Sequence, residues 1–168
     1  MSDFDAAFEQ VIGYEGGYVF DPDDAGGETN WGIAKRWYPH LNIKLLTKED
    51  AKQIYWKEYW NRLLLAQIQD DDIATEIFEQ AINMGRSVAA ANAQHATNLC
   101  DSEAGLLIDG FIGPKTITAI NRIGQRRKAV WLKCMNGLQF VKYLEIVDSN
   151  PKQSKFFVGW LKRVEFNG

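Results

Sequence analysis

A glycine-rich, acidic stretch from residue 15 to residue 33 interrupts a sequence whose hydrophobic pattern is otherwise helical. Its centre, residues 21–27, holds three aspartates, two glycines and one proline, a composition typical of a tight polar turn. A short β-prone segment, residues 18–20, precedes this turn, and residues 28–30 after it are the candidate return strand. The sequence therefore predicts a small β-hairpin that follows a first helix and lies beside a helical body.

The first helix carries a carboxyl group at a position where its apolar stripe predicts a hydrophobic residue. We expect the helix to begin at Ser2, because Asp5 follows three residues later as in a capping box. The stripe then consists of Phe4, Phe8 and Val11. Its next member is Glu15, and both partial burial and the negative end of the helix dipole favour the neutral form of a carboxyl there. Glu15 is therefore a candidate general acid, and the alternative is a solvated carboxylate at a frayed helix end.

The acidic turn has three possible interpretations. Asp21, Asp23 and Gly26 occupy the first, third and sixth places of a calcium-binding loop, but Gly32 stands at the twelfth place instead of glutamate. The pattern therefore disfavours calcium, and we predict no metal and no cofactor. A solvated turn and a turn that supplies a catalytic carboxylate both stay open.

The order of residues in this stretch is similar to a known catalytic signature. Residues 15–19 read Glu-Gly-Gly-Tyr-Val, and Asp-Pro, Asp, Gly-Gly, Thr-Asn and Gly-Ile follow up to residue 33. This series resembles the signature of glycoside hydrolase family 108, lysozyme-like N-acetylmuramidases often found in phage endolysins and prophage regions. Three later segments resemble the family's second helical segment, the turn of its peptidoglycan-binding-like C-terminal region and its closing helix; they are Phe78–Gly85, Asp109–Thr116 and Phe157–Arg163.

The resemblance implies a mainly α, lysozyme-like (α+β) fold, a helical bundle with a small β-hairpin after the first helix. It implies that Glu15 is the catalytic acid. In the wider phage-lysozyme pattern an aspartate and a threonine follow that glutamate, and Asp24 has the spacing of the aspartate. Thr29 stands one residue before the place of the threonine, which Asn30 occupies. Asp21 is the alternative to Asp24 as the second carboxylate.

Aromatic and polar side chains near this stretch are candidates for contact with a sugar. The predicted substrate-binding residues are Tyr18, Asp21, Asn30, Trp31 and Asn83. Apolar sugar faces stack on aromatic rings, and Trp31 lies directly between the acidic turn and Gly32. Asn83 is a polar residue on an apolar helical stripe, where it either binds substrate or bonds to the backbone.

The predicted reaction is hydrolysis of the β-1,4 bond between N-acetylmuramic acid and N-acetylglucosamine in peptidoglycan. Glu15 would protonate the glycosidic oxygen, and an ionised Asp24 would stabilise the developing positive charge or orient the attacking water. Thr29 or Asn30 would hold that water. Two alternatives are a lytic transglycosylase, which also uses one glutamate, and a non-catalytic wall-binding or secretion-assisting protein.

Composition argues against several other classes of function. The chain has 168 residues with 46% hydrophobic content, enough for one good core, and its net charge of -3 argues against nucleic acid as a partner. Cys100 and Cys134 lie in helical patterns and are predicted to be reduced core residues. His40 and His95 lack the spacing of zinc ligands.

The order of segments predicts two parts, residues 1–88 as a catalytic lysozyme-like part and residues 89–168 as a helical peptidoglycan-binding-like part. No linker-like composition separates them, so we expect both parts to pack as one compact unit. No signal-peptide pattern is visible, and we expect synthesis in the cytoplasm, no stable membrane association, and action on the cell wall, in the periplasm, after release. For a phage-type endolysin the resemblance implies release through a holin pore.

Overall fold

The computed structural model describes residues 2–12, 17–20 and 27–164. These residues contain seven α-helices and one three-stranded antiparallel sheet, which follows the first helix. The prediction of a mainly helical, lysozyme-like fold is confirmed. The chain divides into two compact units, one of Asp3–Arg62 and one of Met1–Ser2 with Leu63–Gly168. This division differs from the predicted boundary at residue 88, which stays a prediction.

The first unit contains the sheet and two helices. Its elements are α1 (Phe4–Val11), β1 (Val19–Phe20), β2 (Glu28–Asn30), β3 (Ile33–Ala34), a 3-10 turn (Ile43–Leu45), α2 (Lys48–Tyr55) and a π-helical turn (Trp56–Trp60). Helix α1 packs on α2 and the π-helical turn through aromatic rings. The ring centroid of Phe8 lies 5.9 Å from that of Tyr55, and the ring centroid of Phe4 lies 5.3 Å from that of Trp60. Phe8 is fully buried and Phe4 and Val11 are half-buried, so the predicted stripe attaches α1 to the core of this unit.

The start of α1 differs from the prediction. Asp3 is the N-cap, and its carboxylate accepts hydrogen bonds from the backbone N–H groups of Asp5 and Ala6 at 2.9 and 3.2 Å. The predicted cap at Ser2 is wrong. Ser2 is buried, and its hydroxyl donates a hydrogen bond to the carbonyl oxygen of Leu65. A buried hydroxyl needs a partner, and that contact takes the place of capping.

The start of α2 follows the sequence closely. The hydroxyl of Thr47 accepts a hydrogen bond from the N–H of Asp50 at 3.2 Å, and the Asp50 carboxylate accepts one from the N–H of Thr47 at 3.0 Å. The predicted capping box is therefore confirmed. The predicted helix extends to Trp60 but changes form after Tyr55. In its last turn the N–H of Asn61 donates to the carbonyl oxygen of Trp56 at 2.8 Å, an i to i+5 bond typical of a π-helical turn.

In the described part of the second unit, every regular element is a helix or a helical turn. Its elements are a 3-10 turn (Leu65–Gln67), α3 (Asp71–Met84), α4 (Arg86–Cys100), α5 (Pro114–Gly124), α6 (Lys128–Ser149), a second 3-10 turn (Pro151–Gln153) and α7 (Ser154–Leu161). Only Gly85 separates α3 from α4, and its φ of +93° lies in a region that L side chains rarely adopt. Four alanines make one face of α4 small and buried, so that neighbouring helices approach closely; they are Ala89, Ala90, Ala93 and Ala96.

A buried glutamine organises the loop before α5. The side-chain oxygen of Gln94 accepts hydrogen bonds from the N–H groups of Asp109 and Gly110 at 3.1 and 3.0 Å. Its amide nitrogen donates to the Asp109 carboxylate at 2.8 Å and to the carbonyl oxygen of Phe111 at 3.0 Å. The bond from the Gln94 amide, together with one from the N–H of Phe111, holds the pKa of the Asp109 carboxyl below its usual range. One side chain therefore satisfies the polar groups of a turn that has no strand partner among the described residues.

Candidate active site

Three of the predicted site residues, Glu15, Asp21 and Asp24, lie outside the described residues. The strands β1 and β2, which flank the predicted turn, are described. They place Tyr18, Thr29, Asn30 and Trp31 in the first unit. The described part of the candidate site therefore consists of the sheet, the turn that follows it and the surface around them.

The sheet has the order β1-β2-β3 with both pairs antiparallel. Val19 pairs with Thr29, which confirms the predicted strands on either side of the acidic turn. Asn30 pairs with Ile33, so a third strand follows that the sequence analysis did not predict. This strand has two residues, too few to show an alternating pattern in the sequence.

Trp31 and Gly32 form the two-residue loop between β2 and β3. Their φ angles are +52° and +73°, as a tight hairpin loop with two left-handed positions requires. Glycine takes such an angle freely, but a residue as large as tryptophan rarely does. The hydroxyl of Tyr55 donates a hydrogen bond to the carbonyl oxygen of Trp31 at 3.2 Å and helps to hold this conformation. Strained backbone of this kind clusters at functional sites, which supports a role for the half-buried Trp31.

Replacing Gly32 with alanine is expected to destabilise the protein by about 2–4 kcal/mol. A Cβ at this position would lie 2.5 Å from the hydroxyl oxygen of Tyr55, a side chain that is only 1% exposed. Urea denaturation measures the loss in the free energy of unfolding. The matched control is Gly27→Ala, because Gly27 has a φ of +66° with nothing within 4 Å of the added Cβ. We expect the control to lower the free energy of unfolding by about 1 kcal/mol. Equal losses in both variants would contradict this account of the loop.

Asn30 and Thr29 lie next to each other on β2, so their side chains lie on opposite faces of the strand. Asn30 is 6% exposed, and its amide nitrogen donates to the carbonyl oxygens of Ile43 and Leu46 at 3.0 and 3.1 Å. These two bonds attach the 3-10 turn to the sheet. Thr29 is half-buried and lies in the central strand, paired with Val19 and Ala34. Contact with substrate stays a prediction for both residues.

Aromatic rings are exposed on and near the sheet. Tyr18 is 40% exposed, Phe20 60% and Trp37 71%. The Lys44 ammonium lies 5.9 Å from the ring centroid of Tyr18, and the Arg36 guanidinium lies 5.0 Å from that of Trp37. Rings of this kind provide flat apolar faces with cations beside them. Sequence reasoning did not select Phe20, because a strand pattern alone does not tell which residues are exposed.

A groove of about 450 Å³ also lies in the first unit, a volume within the usual range of small-molecule sites. Its lining mixes leucines with polar side chains and consists of Leu41, Asn42, Leu45, Leu46, Asp50, Gln53, Ile54 and Lys57. None of the predicted site residues that the structure describes is among these lining residues. Asp50 is engaged in the capping box there, and Leu45 is the most exposed hydrophobic residue of the groove at 73%.

Asn83 lies on α3 in the second unit and is exposed. Its amide nitrogen donates to the carbonyl oxygen of Glu79 at 3.0 Å and to the Glu79 carboxylate at 2.6 Å. Of the two predicted roles, a bond to the backbone is therefore present, and a bond to substrate stays a prediction. Burial, together with the negative charge of Glu76, raises the pKa of Glu79 to about 7. Sequence reasoning missed Glu79, whose titration depends on the packing of α3 against α6.

The described residues contain neither a metal-binding cluster nor a membrane-spanning helix. Within residues 2–12, 17–20 and 27–164, no group of three or more His, Cys, Asp or Glu side chains is arranged to hold a metal ion. In the same part of the chain no helix combines the length and the apolar character needed to cross a bilayer. Cys100 is buried and Cys134 half-buried, both are free thiols, and burial raises the pKa of each.

Comparisons with known proteins bear on both parts of the chain. Residues 8–85 match the family model described as Glycosyl hydrolase 108, and residues 88–165 match the one described as Predicted Peptidoglycan domain. The structure of Brucella abortus SagA is similar to this chain, with a TM-score of 0.75 and 27% identity, covering 96% of this chain and 88% of that chain. No curated protein matches the sequence. The first match includes the whole sheet and the acidic turn.

Proposed function

Since this chain is a glycoside hydrolase with a Glycosyl hydrolase 108 domain and a peptidoglycan domain, we propose that it is an N-acetylmuramidase. Its reaction would be hydrolysis of the β-1,4 bond between N-acetylmuramic acid and N-acetylglucosamine. The observation that carries this proposal is the match of residues 8–85, which contain Glu15 and the acidic turn. The adjoining match of residues 88–165 supports peptidoglycan as the substrate.

The proposed chemistry uses two carboxyl groups. Glu15 protonates the glycosidic oxygen as the bond to the leaving sugar breaks, and the anomeric carbon acquires positive charge. Asp24, ionised in a polar turn, stabilises that charge or orients the water that attacks the anomeric carbon. Asp21 is the alternative in that position. The proton delivered by Glu15 is recovered from the attacking water, so that the acid is ready for another turnover.

We assign the water-holding role to Thr29 rather than Asn30. The amide nitrogen of Asn30 donates to two backbone carbonyl oxygens in the core, and its side chain is almost fully buried. Thr29 presents its hydroxyl on the opposite face of β2 and is half-buried. A threonine hydroxyl both donates and accepts, as the positioning of a water molecule requires.

The exposed rings are the proposed contacts for the sugar faces. Tyr18 is joined to β1, and Trp31 is held at the end of β2 by its loop and by Tyr55. Both residues therefore adjoin the two strands that flank the acidic turn in the sequence. Carbohydrate rings carry apolar C–H faces that pack on such aromatic surfaces. Asn83 is a further proposed contact, since it is the exposed polar residue of the Phe78–Gly85 segment that resembles the family.

The direct test is incubation of the purified chain with purified peptidoglycan and measurement of new reducing sugar ends. Hydrolysis produces one reducing end for each bond cleaved, whereas a lytic transglycosylase closes the muramic acid on itself and leaves none. A wall-binding protein would release no soluble fragments. We expect soluble fragments together with new reducing ends, and either of the other two results would contradict the proposal.

We propose a phage-type endolysin as the biological role. The chain would act in the periplasm after release from the cytoplasm, with a holin as the partner that opens the route. Support comes from the muramidase-like signature and the adjoining peptidoglycan domain in one short chain.

A further inference from the structure

A lysine lies beside one of the exposed rings of the first unit. The Lys44 ammonium is 5.9 Å from the ring centroid of Tyr18, within the range of a cation–π contact. Tyr18 is 40% exposed and Lys44 is exposed, so both groups are open to a molecule in solution. Among the residues that the structure describes, no acid forms an ion pair with Lys44. Its positive charge is therefore available to a ligand.

A second pair of ring and cation, Trp31 with Lys48, differs in charge. The Lys48 ammonium lies 5.9 Å from the ring centroid of Trp31, but it also forms an ion pair with Glu9 at 2.6 Å. A carboxylate at this distance balances the charge of the lysine. The ring of Tyr18 thus adjoins a positive charge, whereas the ring of Trp31 adjoins a neutral ion pair.

Buried hydrogen bonds fix the backbone around Lys44 relative to β2. The amide nitrogen of Asn30 donates to the carbonyl oxygens of Ile43 and Leu46, which lie on either side of Lys44 in the chain. Tyr18 directly precedes β1, which pairs with β2. Because the ring and the 3-10 turn are attached to one sheet, a ligand finds both already in place.

The charge of peptidoglycan shows what such a lysine can bind. The N-acetylated sugars of the glycan chain are neutral, and the negative charges lie on the carboxylates of the stem peptides, which are attached to the lactyl group of muramic acid. This protein has a net charge of -3, so its overall field does not attract an anionic polymer. Recognition of stem carboxylates therefore depends on local cations.

We propose that Lys44 makes the enzyme selective for peptidoglycan whose stem peptides carry free carboxylates. The Lys44 ammonium donates a charge-assisted hydrogen bond to a stem carboxylate while a sugar face packs on Tyr18. Lys44 is thus a substrate-binding residue that determines specificity and takes no part in breaking the bond. This inference rests on the proposed N-acetylmuramidase function, because it concerns the substrate of the same site.

The test compares cleavage of two forms of one substrate. Purified peptidoglycan, freed of other wall polymers, is used untreated and after carbodiimide and methylamine have converted its carboxylates to neutral amides. The measured quantity is the ratio of the initial rate on the untreated form to that on the amidated form, at limiting substrate. Lys44→Gln is expected to lower this ratio about fivefold, by slowing cleavage of the untreated form only. A ratio equal to that of the wild type would overturn the proposal.

The matched control is Lys133→Gln, which removes the same charge from an exposed lysine of α6 in the second unit. It should keep the wild-type ratio, and an equal decrease in the control would overturn the proposal, since net charge would then decide. Lys44→Arg keeps a cation at the position and should retain most of the selectivity. Circular dichroism of each variant checks the fold.

Arg36 offers the alternative assignment. Its guanidinium lies 5.0 Å from the ring centroid of Trp37, but both residues follow β3 and do not adjoin the strands that flank the acidic turn. A decrease in the ratio with Arg36→Gln and none with Lys44→Gln would assign the selectivity to that pair and overturn the role of Lys44.

Binding separates this inference from the proposed function. Co-sedimentation of the full chain with the two insoluble forms measures the same preference without cleavage. A wild type that cleaves neither form, but whose preferential binding to the untreated form is lost with Lys44→Gln, would contradict the N-acetylmuramidase and support the role of Lys44. A wild type that cleaves peptidoglycan with a ratio that Lys44→Gln leaves unchanged would contradict the role of Lys44 alone.

Discussion

Replacing Glu15 with glutamine is expected to slow peptidoglycan cleavage by at least about a hundredfold while leaving the fold intact. Glutamine keeps the size of the side chain but has no proton to give to the glycosidic oxygen. The leaving sugar would then depart as an alkoxide, which raises the barrier of the step that breaks the bond. Helix α1 ends at Val11, so the substitution changes none of the side chains by which this helix packs on its core.

Release of dye-labelled peptidoglycan fragments measures this loss, and circular dichroism checks the fold. The matched control is Glu9→Gln, a change of the same chemistry on α1 at an exposed carboxylate that pairs with Lys48 at 2.6 Å. An exposed pair contributes little to stability, so this control should cleave at close to the wild-type rate. A Glu15→Gln rate within about tenfold of wild type would contradict the role of Glu15 as the acid. Comparison of Asp24→Asn with Asp21→Asn then identifies the second carboxylate.

Replacing Glu79 with glutamine is expected to raise the free energy of unfolding by about 1–3 kcal/mol at pH 8 and to change it little at pH 4.5. Burial and the neighbouring Glu76 raise the pKa of Glu79 from 4.5 to about 7. The folded state therefore binds a proton more tightly than the unfolded chain does. The stability that this proton contributes is fully present below pH 4.5 and is lost as the pH rises to about 7.

The groups around Glu79 allow this substitution. The amide nitrogen of Gln139, on α6, donates to its carboxylate at 3.0 Å, and Asn83 donates on the α3 side. The side-chain oxygen of Gln139 is buried and has no hydrogen-bond partner among the described residues. A glutamine at position 79 supplies an N–H group that this oxygen accepts once the Gln139 amide rotates. Arg163 and Tyr143 are the other titratable groups that face this site, and Arg163 partly opposes the rise in pKa.

Urea denaturation at several values of pH measures the effect. The control is Glu145→Gln on α6, because Glu145 is exposed and its ion pair with Lys142 spans 2.9 Å at the surface. For the control, we expect the free energy of unfolding to equal that of the wild type at every pH. For Glu79→Gln, we expect its excess over the wild type to grow between pH 4.5 and pH 7. A gain that is the same at every pH would show that packing, rather than the titration of Glu79, is responsible.

Local signals in the sequence predicted the fold well where one or two residues decide the outcome. Thr47 and Asp50 form the predicted capping box at the start of α2, and two strands form on either side of the acidic turn where the sequence predicts them. The cap at Ser2 was wrong because two neighbouring residues can each cap α1, and burial of Ser2 decided between them. The π-helical turn after Tyr55 depends on tertiary packing of Trp60, which no local pattern reports.

For the candidate site, too, the sequence shows local features but not those that depend on tertiary structure. A carboxyl on an apolar stripe is visible in the sequence and makes Glu15 a candidate, whereas Asp24 is singled out within the acidic turn only by the resemblance to phage lysozymes. Both roles stay predictions. The left-handed backbone of Trp31 was not predictable, because it requires the two-residue loop that β3 completes. Likewise, the core bonds of Asn30 depend on a 3-10 turn that comes thirteen residues later in the chain.

The most direct test of the account is mass spectrometry of the soluble products from purified peptidoglycan after borohydride reduction. The account predicts muropeptides that end in reduced N-acetylmuramic acid, released by the wild type and absent with Glu15→Gln. Products that end in reduced N-acetylglucosamine would show that the other glycosidic bond is cleaved. Products that end in anhydro-muramic acid would show a lytic transglycosylase, and either result would contradict the proposed N-acetylmuramidase.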